Sequence, residues 1–438
     1  MHEDAADKVE IANHASAGIG AARPSALRTA LAGLIGNVLE WFDFAVYGYF
    51  AGDIGRQFFP QSSPAAQQLL TFAIFALGFF ARPLGSLALG LIGDRIGRRA
   101  LLTLSIALMG ASTLIIGLLP TYQQIGAAAP LLLVAMRLIQ GFSVGGEFTG
   151  SMVFTTESAS PLTRGIVSSS TAAGTTIGFI LGSGSAWLIN SLLRADQVAA
   201  WGWRVPFVGS VLFCVMGWFL RRGLHETEAG LKAVAIRPAL IPSLIADWLP
   251  MLRTFGILAT TNCAYYLTFT YIVERRKELS GGGATFLLAN TLSLFAVLMA
   301  KPFGGWMSDR VGRRKLMLIL TIAIMSLIYP VFQLMLSGTP QQFVLGQILL
   351  AVPIGMALGL QGAMVVEIFP LRTRVTSMSI AYSVTLALAG GTAPLVSAWL
   401  IERFGQPLAP AYYVILHGVV GLALLLPMQE TNTRSLGE

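Results

Sequence analysis

The chain has 438 residues, 55% of them hydrophobic and only 11% charged. A soluble globular chain carries about 25% charged residues, so water-facing domains are excluded and a membrane protein is expected. The formal charge of +8 does not point to nucleic acid, because Lys and Arg gather in short clusters between apolar runs, as in the loops of membrane proteins.

The first 26 residues are polar and Ala-rich, with no apolar core followed by a cleavage site. They read as a disordered cytoplasmic N-terminus and not as a signal peptide. Apolar runs near the ~20 residues that cross ~30 Å of hydrocarbon as a helix then follow in order. They are expected at 27–51, 69–92, 100–119, 131–154, 165–189 and 205–220. After a polar stretch, 221–250, they resume at 254–273, 284–307, 316–335, 343–368, 375–400 and 411–428. The expected organisation is an N-terminal bundle (27–220), a cytoplasmic linker (221–250), a C-terminal bundle (251–428) and a cytoplasmic tail (429–438), with six helices in each bundle.

Arg95, Arg98, Arg99, Arg164, Arg221, Arg222, Arg310, Arg313, Arg314, Lys315, Arg372 and Arg374 all fall in loops on one side. The bias of positive charge towards the cytoplasm places both termini there. The charged run Glu274-Arg275-Arg276-Lys277-Glu278 breaks that pattern, and the sequence offers no account of it.

Two motifs recur. Gly90-Leu91-Ile92-Gly93-Asp94-Arg95-Ile96-Gly97-Arg98-Arg99 returns as Gly305-Trp306-Met307-Ser308-Asp309-Arg310-Val311-Gly312-Arg313-Arg314, 215 residues later. Glu157 and Arg164 around Pro161 return 210 residues later as Glu367 and Arg374 around Pro370. Two unrelated motifs in one order and at nearly one offset predict two halves related by a parallel repeat, with the solute bound between them near mid-membrane. Gly90, Gly97 and Gly312 suit close approaches and sharp turns, while Asp94 and Asp309 can accept from Arg95, Arg98, Arg310 and Arg313. These residues, with the pairs Glu157–Arg164 and Glu367–Arg374, are the expected cytoplasmic gate.

The repeated loop motif, together with Gly36-Asn37-Val38-Leu39-Glu40-Trp41-Phe42-Asp43-Phe44, Arg82-Pro83-Leu84-Gly85, the stretch from Arg137 through Gln140 to Glu147, and Gly202-Trp203-Arg204-Val205-Pro206-Phe207, resembles the major facilitator superfamily, and within it the metabolite:proton symporters. The resemblance covers nearly the whole chain. It implies an all-α fold of twelve transmembrane helices in two six-helix bundles about a pseudo-two-fold axis, a monomer in the bacterial inner membrane, and alternating access driven by protons with no cofactor. Members of that family carry proline and betaine, citrate, 2-oxoglutarate, shikimate and similar solutes. Segment 393–431 is more similar to the proline/betaine members and 355–370 to the citrate carriers, while the long C-terminal coiled coil of the osmosensing members is missing.

Six ionisable residues, Glu40, Asp43, Arg82, Arg137, Glu147 and Lys301, fall inside apolar spans, where each costs about 2.5–3.5 kcal/mol at mid-helix. Three acids against three bases predict mutual pairing around a polar cavity. Asn37, Glu40, Asp43 and Tyr47 recur every three or four residues and share one helix face; Gln140, Ser143 and Glu147 do the same a turn beyond Arg137. The expected proton-coupling residues are Glu40, Asp43 and Glu147. The expected substrate residues are Asn37, Tyr47, Arg82, Arg137, Gln140, Tyr265 and Lys301, with a small organic acid as the first solute class because Lys301 adds positive charge. The alternative is a zwitterion such as proline or glycine betaine, caged by Trp41, Tyr47, Tyr265, Tyr266 and Tyr271 through cation–π contact.

Competing functions fail on the residues. No lysine follows a glycine, so the phosphate-cradling loop of an ATP-driven pump is missing. The chain shows no catalytic cluster of an enzyme and no re-entrant filter of a channel.

Overall fold

The computed structural model describes residues 26–96, 98–145, 147–221, 240–280, 283–432 and 436. Among these, twelve helical spans follow one another. The first six are α1 (Ala26–Tyr49), α2 (Pro64–Ile96), α3 (Arg98–Leu118), α4 (Ala128–Ser143, continued by Glu147–Glu157), α5 (Arg164–Leu192) and α6 (Arg204–Gly209 with Val211–Arg221). The second six are α7 (Trp248–Tyr266, continued by Ile272–Ser280), α8 (Gly283–Val311), α9 (Arg313–Ser337), α10 (Pro340–Ile368), α11 (Arg374–Thr385, continued by Ala393–Phe404) and α12 (Ala409–Leu425). Each expected span has its helix, so the fold is the expected all-α membrane bundle.

Helices are the economical answer for such a sequence, because in hydrocarbon every backbone N–H and C=O needs a partner within its own segment. Pro83, Pro302, Pro330 and Pro353 sit inside α2, α8, α9 and α10 and are tolerated for the reason that neighbouring helices cover the freed carbonyls. The chain widens to a π turn inside α7, at Leu267–Tyr271, and inside α11, at Leu386–Gly391. Large apolar side chains such as Leu131 and Phe154, each 69% exposed, cover the perimeter, as a lipid-facing surface requires.

Inside each half, backbones touch. A Cβ on Gly141 would lie 1.8 Å from the Gly78 carbonyl oxygen, locking α4 against α2, and one on Gly359 would lie 2.0 Å from the Lys301 carbonyl oxygen, locking α10 against α8. The same pair of helices is thus pressed together in both halves by small residues. Between the halves, α5 lies along α8 and α10, and α2 along α11.

Candidate functional site

Four of the six ionisable residues expected inside the spans meet within the first half. Arg137 Nη1 donates to Asp43 Oδ2 at 2.6 Å and to Gln140 Oε1 at 2.8 Å. Gln140 Nε2 in turn donates to Asp43 Oδ1 and to Thr113 Oγ1, both at 2.8 Å. The Arg137 guanidinium lies 3.7 Å over the Tyr47 ring, and the Tyr47 hydroxyl donates to the Thr71 carbonyl at 3.2 Å. One turn away, Arg82 pairs with Glu40 at 2.8 Å and lies over the rings of Phe79, Phe44 and Trp41 at 4.5, 4.6 and 5.3 Å. A buried pair repays its desolvation only with such additional partners. Two of the three expected acid–base pairs are present, but Tyr47, Arg82, Arg137 and Gln140 are engaged inside the first half and do not line the central cavity. Asn37 is also elsewhere than expected, buried on α1 with its Cβ against Gly174 of α5. The side chain of Glu147 lies outside the described residues.

The central cavity lies between the halves and measures about 20 Å³, room for one water. Trp41, Phe148, Ala172 and Thr175 line it from the first half, and Asn262, Tyr265, Lys301, Leu358, Gln361 and Tyr382 from the second. Rings meet across the boundary, with Phe148 5.4 Å from Tyr382, Phe179 4.9 Å from Tyr265 and Trp41 6.5 Å from Tyr266. Lys301 Nζ donates to the Ala172 carbonyl at 2.6 Å and to Thr175 Oγ1 at 2.8 Å. Of the expected substrate residues, Tyr265 and Lys301 line the cavity. Phe148 and Tyr382 went unnoticed in the sequence, although the repeat contains them: Phe148 and Leu358, and likewise Ala172 and Tyr382, are 210 residues apart, the offset of the Glu–Arg motif.

One mouth of the cavity is closed around Asp309. Its carboxylate accepts from the Gly165 and Ile166 amides at 2.8 and 3.1 Å, an anion placed on the N-terminus of α5 across the boundary. Arg313 donates to Asp309 at 2.9 Å and to both oxygens of Glu367 at 2.9 and 3.0 Å. Gly312 makes the turn before α9 at φ +105°. The Glu–Arg pairs are crossed relative to expectation. Arg374 Nη1 donates to Glu157 at 2.6 Å, and Arg164 Nη1 stands 4.0 Å from Glu367, because each arginine opens a helix that faces the other half. Arg310 is not part of this network; it is exposed and stacks on Trp306 at 4.0 Å. Of the first copy of the motif, Gly97 and the side chains of Asp94, Arg95 and Arg98 lie outside the described residues, and Gly90 is a position within α2.

The opposite mouth is closed by the charged run that the sequence left unexplained. Lys277 Nζ bonds Glu274 at 2.9 Å, Asp53 at 3.1 Å and the Tyr49 carbonyl at 2.8 Å. The Gly52 amide donates to Glu274 Oε1 at 2.9 Å, and Gln68 Nε2 to Glu278 at 3.2 Å. Asp53 sits on a short helix, Ala51–Phe58, that follows α1. Glu274 lies just past the apolar run of α7; burial pushes its carboxyl up to about 7 against the opposing pull of Lys277. With both mouths tied by residues from both halves, the conformer is occluded.

Two half-bundles enclosing a central cavity, with a bonded mouth at each end, define a membrane carrier of small solutes. Residues 29–229 match the family model described as sugar (and other) transporter, and residues 255–436 that of the major facilitator superfamily. The proline/betaine transporter of Salmonella typhimurium is 34% identical, covering 94% of this chain and 85% of its own. The citrate-proton symporter of Klebsiella pneumoniae is 34% identical over 88% of each chain. An inner membrane metabolite transport protein of Escherichia coli is 36% identical over 93% of this chain and 94% of its own. A solved D-xylose-proton symporter shares the fold, with TM-score 0.75 at 17% identity over 94% of this chain and 99% of that one. The chain belongs to the major facilitator superfamily and, within it, to the metabolite:proton symporters.

Proposed function

We propose that this chain is a proton-coupled symporter that carries a zwitterionic compatible solute of the proline or betaine kind by alternating access. The observation that carries this reading is the chemistry of the central cavity, where aromatic walls from both halves face one cation, Lys301. Rings attract an ammonium, and a lysine attracts a carboxylate. A di- or tricarboxylate would call for further free cations, yet Arg82 and Arg137 are each held by an acid. The relatives named as proline/betaine transporters support the same class.

Glu40 and Asp43 are the coupling carboxylates in this reading, with Glu147 a third candidate. A proton taken up by Asp43 neutralises it and loosens Arg137, and the pair re-forms when the proton leaves. The Asp309 mouth is the cytoplasmic gate, as its Arg-rich loops imply, both termini lie on that side, and the Lys277 mouth is the outer gate. The halves, 27–220 and 251–428, rock about the site as one monomer in the inner membrane, with the proton as sole coupling agent and no cofactor.

The test is uptake of glycine betaine and L-proline into proteoliposomes under an imposed proton gradient. Uptake should saturate, collapse with a protonophore and fail in Asp43→Asn. Uptake indifferent to the gradient would remove the proposed coupling. An organic acid is the second reading, favoured by the charge of Lys301 and the citrate-proton relative; citrate in the same assay separates the two.

A further inference from the structure

We infer that Lys301 binds the carboxylate of the solute, and that it does so by releasing Ala172 and Thr175, so that loading the site unties α8 from α5. The inference rests on the proposed carriage of a carboxylate-bearing solute.

Lys301 is 1% exposed, and no carboxylate lies within ion-pair distance of it among the described residues. A buried charge without a counter-ion is expensive and marks a site. Its two partners are neutral oxygens, the Ala172 carbonyl at 2.6 Å and Thr175 Oγ1 at 2.8 Å, while an ammonium has three donors. The Ala172 carbonyl also accepts from Thr175 Oγ1 at 2.7 Å, so it is not orphaned when Lys301 departs. A carboxylate is the stronger partner, since charge-assisted bonds are roughly twice as strong as neutral ones. The exchange is therefore downhill once a carboxylate enters.

Only the side chain can make the exchange. The Lys301 backbone is pressed on α10, where a Cβ on Gly359 would lie 2.0 Å from its carbonyl oxygen. Both partners belong to α5 in the first half, while Lys301 belongs to α8 in the second. The same ammonium thus serves as a tie between the halves in one state and as a solute ligand in the other. Trp41 and Tyr382, which line the same cavity as Lys301, supply the ring surface for the cationic end.

The experiment is calorimetric binding to the purified full-length protein of five probes: glycine betaine, choline, L-proline, L-prolinamide and citrate. Choline and prolinamide lack the carboxylate. The wild type should bind betaine and proline at least about tenfold tighter than choline and prolinamide, the scale of a hydrogen bond to a charged group. Lys301→Gln keeps a donor for Ala172 without the charge, and Lys301→Met removes both; each should erase that preference. A preference kept at the wild-type ratio in either variant overturns the assignment, and the ratio reads only protein that has folded. If the wild type binds citrate alone, the zwitterion reading falls, and an undiminished citrate affinity in Lys301→Gln overturns the assignment while a loss supports it. If it binds none of the five, both fall. Spin labels at Ser170 and Phe303 read the untying: their separation should grow on adding betaine to the wild type, and no growth with betaine bound overturns the exchange.

Discussion

Arg374 reaches across the boundary between the halves to Glu157 at 2.6 Å, and Arg164 stands 4.0 Å from Glu367, the same relationship with the halves exchanged. The repeat thus writes a reciprocal lock, and its two arms differ in burial. The Glu157 side chain is 38% exposed, whereas Glu367 and Arg313 are fully buried.

Glu157→Gln should therefore cost about 1 kcal/mol or less and tilt the protein towards opening at the Asp309 mouth. In a background lacking Cys214 and Cys263, a cysteine at Gln361 should react faster with a thiol reagent applied from that side. The double exchange Glu157→Arg, Arg374→Glu should slow it again. An unchanged rate in the single variant would mean that the pair does not hold the mouth.

Truncating one member of the buried Asp43–Arg137 pair leaves an uncompensated charge, which costs about 3–5 kcal/mol. Arg137→Met should lower the thermal midpoint markedly. Asp43→Asn with Arg137→Gln should recover most of the stability, because the ring through Gln140 and Thr113 can still be bonded, yet transport should not return. Recovery of gradient-driven uptake in the double variant would take Asp43 out of coupling.

The Lys277 mouth should close more firmly as pH falls. Glu274 is held at about 7 when the mouth is closed and should return to the usual ~4.3 when it is hydrated. Between those values the closed form binds more protons, so acid favours it, and the preference is lost as pH rises through 7. Asp53 and Glu278 push in the same direction as burial, and Lys277 opposes them. Distances between spin labels at Gln61 and Leu279 should shorten on acidification in the wild type and stay level in Glu274→Gln.

Gly359→Ala should destabilise by about 1–3 kcal/mol, the usual cost of overpacking, because its new methyl meets backbone at 2.0 Å. Gly150 has nothing within 4 Å of the same position, so Gly150→Ala should be neutral or stabilising by about 0.5–1 kcal/mol. Thermal unfolding in one detergent compares the two directly.

Helix number and order were legible because hydrocarbon permits few alternatives, and each apolar run became a span. That Glu40 and Asp43 would take basic partners was also legible from the cost of burying them, whereas Lys301 takes neutral oxygens instead. Which acid takes which base was not, since helix rotation decides it: Arg82 and Arg137 both reach α1, one turn apart, and are not among the residues lining the central cavity. The crossed Glu–Arg lock was hidden because Glu157 and Arg164, seven positions apart in one half, each find their partner in the other half. Glu274 and Lys277 looked like a loop anomaly until Asp53 and Gly52, some 220 positions earlier, came to meet them.

The wide turns of α7 and α11 bear on how such a body can move. A turn with one residue too many spoils a bond of the regular ladder and bends more easily than its surroundings. Among the described spans both such turns belong to the second half, and the remaining one, Val198–Gly202, precedes α6 outside the cavity wall. The first half, tied by its ring of Asp43, Arg137 and Gln140, should serve as the fixed jamb, and the second should carry the flex of the door.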